Sequence, residues 1–235
     1  MERILVIGGG GYVGTELISY LIKKNNFVYC VDKFIYEKNS FIKKSKKVNI
    51  LKYNIADSSF YENIPNDISS VIILAGLVGD PITKKYPELS HQINYLAIKK
   101  IINFYKKLKV KLIFVSTCSN YGFLENKIAN EKTSLNPKSL YAKQKVKIEK
   151  YILSLRKKTK FSPTILRFST AFGVSARPRF DLTINEFVLH AVTKKKLQIY
   201  DHETWRPYCH LLDFAKVIQK CIEADRKKIN YQIFN

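Results

Sequence analysis

The chain has 235 residues, which is long enough for one sizeable α/β domain or for one domain and part of another. Its formal net charge of +22 suggests a nucleic-acid partner, but the lysines occur as short pairs and triplets along the whole chain, which favours a solvated surface that attracts small anionic substrates. No apolar run reaches the roughly 18 residues of a membrane span, so we expect a cytoplasmic protein without a targeting segment or a membrane partner. The scattered lysines lead us to expect no nucleic-acid partner either.

The first two thirds of the chain alternate short apolar segments with amphipathic ones, a pattern typical of a parallel sheet with helices on both faces. The apolar segments are nearly continuous runs of Val, Ile and Leu, as expected for strands buried on both faces. The predicted strands are 3–7, 27–32, 48–53, 70–74, 111–116 and 162–168. The predicted helices are 13–24, 86–108 and 139–158. This pattern predicts a doubly wound α/β fold.

After residue 168 the pattern is less regular. It predicts a helix at 185–195, a strand at 197–200, a helix at 214–224 and a last strand at 231–234.

Four glycines follow the first predicted strand and open the first helix, in the run ILVIGGGGYVG. Gly9, Gly11 and Gly14 fit the general dinucleotide spacing G-x-G-x-x-G. The alternative G-x-x-G-x-x-G, a reductase spacing, uses Gly8 with the last two of these. Either spacing lets backbone N–H groups approach a pyrophosphate at the positive end of a helix. Asp32 ends the second predicted strand, where an acid bonds the adenosine ribose hydroxyls, so the sequence favours NAD over NADP.

A second motif, Y-x-x-x-K, lies on the third predicted helix at Tyr141 and Lys145. A spacing of four residues places both side chains on one face of a helix. The unperturbed phenol pKa is roughly 10, but a nearby ammonium and a positive nicotinamide ring both favour the phenolate, so Tyr141 can serve as a general base or acid. Thr117 directly follows the predicted strand 111–116, and hydroxyls at the carboxyl end of a parallel strand point into the ligand crevice.

Taken in order, these motifs resemble the extended short-chain dehydrogenase/reductase family, specifically its nucleotide-sugar epimerases and dehydratases. The resemblance selects the G-x-x-G-x-x-G spacing and leaves Gly9 and Gly10 as flexible filler of the turn. It implies NAD as cofactor, a nucleotide-diphosphate sugar as substrate, and catalysis by Thr117, Tyr141 and Lys145. Tyr141 would take the proton of a sugar hydroxyl, and Thr117 would bond the same oxygen.

The resemblance also implies two sets of binding residues. Those for the cofactor are Gly8, Gly11, Tyr12, Val13, Gly14, Asp32, Lys33, Asn54, Ile55, Leu74, Ala75, Gly76, Asn94, Tyr141 and Lys145. Those for the substrate are Val78, Thr117, Tyr121, Thr170, Arg179 and Arg206. Arg206 begins the segment RPYCHLLD, which resembles the family's R-x-F-x-H-V-x-D, whose arginine holds the diphosphate. His210, in the same segment, is predicted to hold that loop in place.

The reaction within the family stays open between several alternatives. The 4,6-dehydratases carry Asp-Glu directly after the catalytic Thr, whereas this chain has Cys118 and Ser119, which disfavours a dehydratase. A C4 epimerase that works through a keto intermediate and a dehydrogenase or ketoreductase need the same residues. We favour the epimerase, in surface-polysaccharide sugar biosynthesis. A non-catalytic NAD-binding protein is the alternative of another class.

Residues 1–168 are predicted to form the NAD-binding Rossmann domain, and 169–235 to supply substrate-lobe segments and returning Rossmann elements. Family members usually continue past a strand like 231–234, so we expect the substrate lobe to be incomplete. The helices at 86–108 and 139–158 are predicted to pair in a homodimer, as in related enzymes.

The four cysteines, at 30, 118, 209 and 221, are widely scattered and no histidine lies at zinc-site spacing from them. We therefore expect neither a metal site nor a disulfide.

Overall fold

A computed structural model describes residues 1–35, 45–124, 128–156, 160–200 and 202–235. The strands are β1 (Arg3–Ile7), β2 (Phe27–Asp32), β3 (Val48–Lys52), β4 (Ser70–Ile73), β5 (Lys111–Thr117), β6 (Ser162–Phe168), β7 (Thr170–Phe172), β8 (Tyr208–His210) and β9 (Gln232–Phe234). The α-helices are α1 (Tyr12–Lys23), α2 (Ser58–Glu62), α3 (Asp80–Lys85), α4 (Pro87–His91), α5 (Ile98–Tyr105), α6 (Leu140–Ser154), α7 (Thr183–Lys194), α8 (Leu211–Glu223) and α9 (Arg226–Ile229). A π-helical turn, Gln92–Ala97, joins α4 to α5, and a 3₁₀ turn, Cys118–Tyr121, follows β5.

Seven of the strands form one parallel sheet in the order β3-β2-β1-β4-β5-β6-β9, which confirms the predicted doubly wound fold. The chain builds outward from β1 to β3 and then returns to add β4 on the other side of β1. Adjacent loops after β1 and β4 therefore leave the sheet in opposite directions. Ligands of open α/β sheets bind at such a reversal, outside the carboxyl ends of the strands.

Alternate residues of each strand enter two separate hydrophobic cores, because successive side chains point to opposite faces. In β1, Leu5 and Ile7 pack with residues of α5 and α6, and Ile4 and Val6 pack with residues of α1 and α8. Both faces of the sheet are thus covered by helices, and the apolar runs of the sequence are explained by burial on both sides.

Residues after 168 contribute to both parts of the molecule. The strands β7 and β8 form a separate two-stranded parallel sheet, whereas β9 pairs with β6 and extends the main sheet. The predicted division of the chain at residue 168 stays a prediction.

Three predicted elements differ from the structure. The predicted strand at 197–200 is wrong, because these residues have no regular secondary structure and Leu197, Ile199 and Tyr200 are exposed. The predicted helix 86–108 is divided by the π-helical turn and ends at Tyr105. The predicted helix 139–158 ends at Ser154, and its last two residues lie outside the described residues.

Candidate active site

The glycine turn after β1 is crowded by backbone at two of its positions. Gly8 has a φ of +90°, and a Cβ added there would lie 2.5 Å from the backbone N of Ala75. A Cβ on Gly14 would lie 2.5 Å from the carbonyl oxygen of Gly8. At Gly11 the nearest atom is 3.4 Å away, so the turn is open at the position where α1 begins. Glycine is required by the fold at the first and last positions and leaves free space at the middle one.

Gly9 and Gly10 are also constrained, so the prediction that they are flexible filler is wrong. A Cβ on Gly9 would lie 2.5 Å from Sγ of Cys30, and one on Gly10 would lie 2.6 Å from the ring of Phe34. These contacts involve side chains, which can move more easily than backbone. Side chains of β2 and of the residues after it therefore pack closely against the glycine turn.

Asp32, at the end of β2, is fixed in place beside the glycine turn. Its carboxylate accepts hydrogen bonds from the backbone N–H of Gly10 at 3.0 Å and of Phe34 at 2.8 Å. Lys33 is exposed beside it. The open position at Gly11 lies at the start of a twelve-residue helix and the carboxylate lies across the turn, an arrangement that fits the pyrophosphate and ribose of a dinucleotide.

Further predicted cofactor residues follow β3. Asn54 uses its side chain locally, because Oδ1 accepts from the N–H of Ala56 at 3.2 Å and Nδ2 donates to Asp57 at 3.1 Å. Ile55 is buried. Their contacts with a cofactor stay predictions.

The loop after β4 lies directly against the glycine turn. The N–H groups of Leu74 and Ala75 both donate to the carbonyl oxygen of Ile7 at 2.9 Å. Leu77, two residues after Ala75, is held by the side chain of Asn94. Asn94 accepts a hydrogen bond from the N–H of Leu77 at 2.7 Å and donates one to its carbonyl oxygen at 3.0 Å. Asn94 lies in the π-helical turn and is almost fully buried, so it holds the loop after β4 from the interior of the protein.

Tyr141 and Lys145 lie in the first two turns of α6, on one face of the helix, as the four-residue spacing predicts. Ser139 caps this helix by accepting a hydrogen bond from the N–H of Ala142 at 3.2 Å. Lys145 Nζ donates to the carbonyl oxygen of Val115 at 2.7 Å and lies 5.7 Å from the centre of the Tyr141 ring. Burial lowers the pKa of Lys145 to about 8, which the charge of Glu149 partly opposes.

The Tyr141 phenol has a raised pKa, chiefly because burial disfavours the phenolate. The Arg179 guanidinium lowers this pKa, while the Cys118 thiol and the Asp80 carboxyl raise it. The charges that act on the phenol thus come from the segment after β7, the turn after β5 and the start of α3. Additional positive charge is needed to ionise Tyr141 at neutral pH.

Thr117 is the last residue of β5 and is nearly buried. Its Oγ1 accepts a hydrogen bond from the N–H of Ser119 at 3.2 Å, which starts the 3₁₀ turn. Burial raises the pKa of the Cys118 thiol, an effect that the nearby Arg206 charge opposes. The hydroxyl of Thr117, the thiol of Cys118 and the positive charge of Arg206 thus belong to the same end of the sheet.

Tyr121 was predicted to contact substrate, but its hydroxyl is occupied within the protein. It accepts a hydrogen bond from Arg167 at 2.8 Å and donates one to Asn235 Oδ1 at 2.7 Å, and the side chain is buried. Arg167 in turn forms an ion pair with Glu149 at 2.7 Å, with both side chains buried. The Tyr121 hydroxyl therefore joins Arg167 to Asn235 within the protein.

Sequence reasoning missed Glu149, although a signal for it exists. Glu149 follows Lys145 by four residues and Tyr141 by eight, so a carboxylate lies on the buried face of α6. Its carboxylate also accepts from Asn120 Nδ2 at 2.7 Å and contacts the Ser116 hydroxyl. This network holds the residues on both sides of Thr117.

The other predicted substrate residues lie on the loops beyond the sheet. Val78 and Arg206 are exposed, and the N–H of Thr170 donates to the carbonyl oxygen of Pro207 at 3.1 Å where β7 and β8 begin. The prediction for His210 is confirmed, since its Nδ1 accepts from the N–H of Leu212 at 3.2 Å and caps α8.

Within the described ranges, no cluster of three or more His, Cys, Asp or Glu side chains is able to hold a metal ion. Likewise, no helix in the described part of the chain has the length and apolarity to cross a bilayer.

Comparisons with known proteins agree on one family. The model of the NAD dependent epimerase/dehydratase family matches residues 4–235. A dTDP-D-glucose 4,6-dehydratase of Dictyostelium discoideum is 30% identical over 220 residues, which cover 85% of this chain and 50% of that protein. An uncharacterized UDP-glucose epimerase of Bacillus subtilis is 26% identical over 229 residues, covering 92% of this chain and 71% of the other. The chain thus spans half the length of the first of these relatives.

Solved structures show the same fold. The UDP-N-acetylglucosamine 4-epimerase of Methanobrevibacter ruminantium, in complex with UDP-N-acetylmuramic acid, superposes with a TM-score of 0.88 at 24% identity. The match covers 99% of this chain and 75% of that one.

Proposed function

Because the chain belongs to the NAD dependent epimerase/dehydratase family, we propose that it is an NAD-dependent nucleotide-sugar epimerase that acts at C4 of the hexose through a keto intermediate. The observation that carries this proposal is the pairing of Tyr141 with a buried Lys145, whose ammonium is bonded to a backbone carbonyl near the carboxyl end of β5. In this proposal the two groups act where the dinucleotide and the sugar meet.

The residues around the glycine turn fit NAD. Gly11 leaves room at the start of α1, where backbone N–H groups and the helix dipole attract a pyrophosphate, and the fixed Asp32 carboxylate suits two ribose hydroxyls and repels a 2′-phosphate. When bound, NAD supplies a reversible hydride acceptor.

Tyr141 is the acid and base of the proposed reaction. Its Oη takes up the proton of the C4 hydroxyl as that carbon is oxidised, and returns a proton to the oxygen when the carbonyl is reduced from the other face. Lys145 is charged at neutral pH because its pKa of about 8 lies above 7, and its ammonium favours the phenolate. Thr117 donates a hydrogen bond to the same sugar oxygen in this proposal.

The residues after Thr117 favour an epimerase over a dehydratase. Removal of water across C5 and C6 needs a base for the C5 proton and an acid for the leaving oxygen. Burial raises the pKa of the Cys118 thiol, so the thiol stays protonated at neutral pH and is a poor base. Ser119 has no titratable group in this range, which leaves the elimination without a base from these two residues.

We propose Arg206 and Arg179 as the groups that attract the substrate diphosphate. Arg206 is exposed two residues before β8 and its charge acts on Cys118, while the charge of Arg179 acts on Tyr141, so the two guanidinium groups border the proposed site. Guanidinium groups suit diphosphate oxygens because they donate two parallel hydrogen bonds. The role in surface-polysaccharide sugar biosynthesis stays a prediction.

We propose a cytoplasmic homodimer in which the helices of residues 87–105 and α6 pair across a two-fold axis. Leu89, Leu96 and Leu140 support this proposal, because they are large apolar side chains that lie exposed on these elements. Light scattering should give twice the monomer mass. A Leu96→Lys variant should shift the mass toward that of one chain, and a monomeric wild-type protein contradicts the pairing.

The purified protein tests the proposed function. The bound nucleotide is released by denaturation and identified, and the native protein is incubated with UDP-glucose, UDP-N-acetylglucosamine and dTDP-glucose while the sugars are followed by NMR. We expect NAD in the extract and a C4 epimer without accumulation of NADH. Accumulating NADH indicates a dehydrogenase, and a product that has lost water indicates a dehydratase. Absence of both NAD and any conversion contradicts the proposal.

A further inference from the structure

The segment 173–185, which follows β7 and includes the first residues of α7, is tied to the start of α1 at two places. At the first, the Tyr12 hydroxyl donates to the carbonyl oxygen of Gly173 at 2.8 Å and accepts from Asn185 Nδ2 at 2.8 Å. Asn185 Oδ1 closes the ring by accepting from the N–H of Gly173 at 3.2 Å. Three residues that are up to 173 positions apart in the chain thus form one hydrogen-bonded ring.

The second tie is made by Ser175. Its Oγ donates to the carbonyl oxygen of Tyr12 at 2.8 Å and lies 2.8 Å from Oγ1 of Thr15. It also accepts from the N–H of Arg177 at 3.2 Å. Ser175 and Thr15 are both buried, so these bonds are shielded from water.

In the sequence, Arg179 lies between Ser175 and Asn185, which both bond to residues of α1. Its carbonyl oxygen accepts from Asn185 Nδ2 at 2.9 Å, and its guanidinium pairs with Asp181. One of its terminal nitrogens lies 4.0 Å from the position that a Cβ on Gly79 would occupy, which places it against the loop after β4. The Arg179 guanidinium therefore lies against the loop after β4, and from there its charge lowers the pKa of Tyr141.

We propose that Tyr12 and Asn185 are positioning residues, which hold the 173–185 segment so that Arg179 stays beside the Tyr141 phenol. This inference rests on the proposed function. The helix α1, which starts at the proposed cofactor site, thereby holds Arg179 of the proposed substrate site in position. Without the ties, the segment gains conformational freedom and the guanidinium spends less time beside the phenol.

The effect on the phenol has a defined sign. The charged and titratable groups that face Tyr141 are Arg179, Cys118 and Asp80, together with Lys145 from its own helix. Because Arg179 favours the phenolate, its displacement raises the pKa of Tyr141. Activity that depends on the phenolate then moves to higher pH.

The test compares Tyr12→Phe and Asn185→Leu with Tyr20→Phe, a control on the same helix α1. Tyr12→Phe removes two hydrogen bonds and Asn185→Leu removes three. With whichever of the three nucleotide sugars the wild type converts, both variants should raise KM by roughly three- to tenfold. Their pH–rate profiles should shift to higher pH, and the control should match the wild type. Tyr12→Phe removes a single oxygen and keeps the ring, so it is expected to fold.

A double variant shows whether Tyr12 acts through Arg179. In an Arg179→Met background, Tyr12→Phe should cause no further change in KM or in the pH profile, because the group that it positions is gone. Additive effects overturn the inference, as does a Tyr12→Phe protein that is less stable but has the wild-type pH profile. A wild type that converts no nucleotide sugar contradicts the proposed function, whereas an active wild type with unchanged Tyr12→Phe and Asn185→Leu variants contradicts this inference alone.

Discussion

Lys145 illustrates how burial sets the charge of a single side chain. It is 3% exposed, bonded to a backbone carbonyl oxygen of β5, and its pKa is lowered to about 8 from an ordinary value of 10.5. The folded protein thus releases this proton at a lower pH than the unfolded chain does. Between about pH 8 and 10.5 the unfolded chain binds more protons, so the cost of burying the Lys145 charge falls and the free energy of unfolding grows as the pH rises.

A Lys145→Met variant measures this effect. The free energy of unfolding of the wild type minus that of the variant should increase as the pH is raised from 8 toward 10.5. Chemical denaturation at several pH values gives this difference, and subtraction removes the titration of shared groups that are remote from Lys145. A difference that is constant over this range contradicts a lowered pKa.

Gly14 and Gly11 offer a matched pair of substitutions in one turn. Gly14→Ala places a Cβ 2.5 Å from a carbonyl oxygen and should destabilise the protein by about 1–3 kcal/mol. Gly11→Ala meets nothing closer than 3.4 Å and has a φ of −82°, which alanine adopts readily. It should leave the free energy of unfolding within about 1 kcal/mol of the wild type but weaken NAD binding.

Thermal unfolding and NAD titration separate these two effects. Equal losses of stability in both variants contradict the crowding described for the turn. Undiminished NAD affinity in Gly11→Ala contradicts the assignment of the open position to the pyrophosphate.

At this scale the sequence predicts residues whose roles depend on short spacing. The strand–glycine–helix order, Asp32 and the Tyr141–Lys145 pair are all local patterns. Gly9 and Gly10 were misjudged because the side chains that crowd them, Cys30 and Phe34, are more than 20 residues away in the chain.

Helix α6 combines the proposed chemistry with a buried ion pair. Its face toward the sheet presents Tyr141, Lys145 and Glu149 at successive intervals of four residues, and Glu149 pairs with Arg167 of β6. The network includes hydrogen bonds to Ser116 and Asn120, which lie on either side of Thr117. This helix therefore links the acid–base pair to the strand end that holds the hydroxyl.

Glu149→Gln tests the strength of this link. The change leaves the Arg167 guanidinium buried without its counter-charge, so the free energy of unfolding should fall by about 3–5 kcal/mol. Lys150→Gln, an exposed position on the same helix, is the control and should change stability by no more than about 0.5 kcal/mol. Urea denaturation measures both, and a Glu149→Gln protein as stable as the control contradicts a tightly coupled pair.

The elements that the sequence predicted well are those buried on both faces of the sheet. Strands 3–7, 27–32 and 162–168 match the structure in both bounds, because continuous apolar runs have a single favourable environment there. The segment 197–200 contains apolar residues but has no neighbouring strand to pair with, so its pattern alone predicted a strand wrongly. Asn94 lies in the π-helical turn and bonds to the backbone of Leu77, a contact that no helical periodicity reveals.

In the whole molecule, the fold joins segments that no sequence pattern links. The doubly wound order follows from the alternation of strands and helices, and it places the glycine turn and the end of β5 at the same edge of the sheet. The ties between α1 and the 173–185 segment cross about 160 residues and connect short polar side chains. Such contacts depend on tertiary packing, and single residues like Ser175 carry no sequence signal for them.

The proposed function assigns to Tyr141 the transfer of the proton of a sugar C4 hydroxyl. The most direct measurement is the rate of C4 epimerisation for the wild type, Tyr141→Phe and Tyr151→Phe, a control on the same helix, with NAD content determined for each. We predict that Tyr141→Phe retains NAD and loses about 10²–10⁴-fold in rate, while Tyr151→Phe keeps the wild-type rate. A Tyr141→Phe protein that epimerises as fast as the wild type contradicts this role of Tyr141.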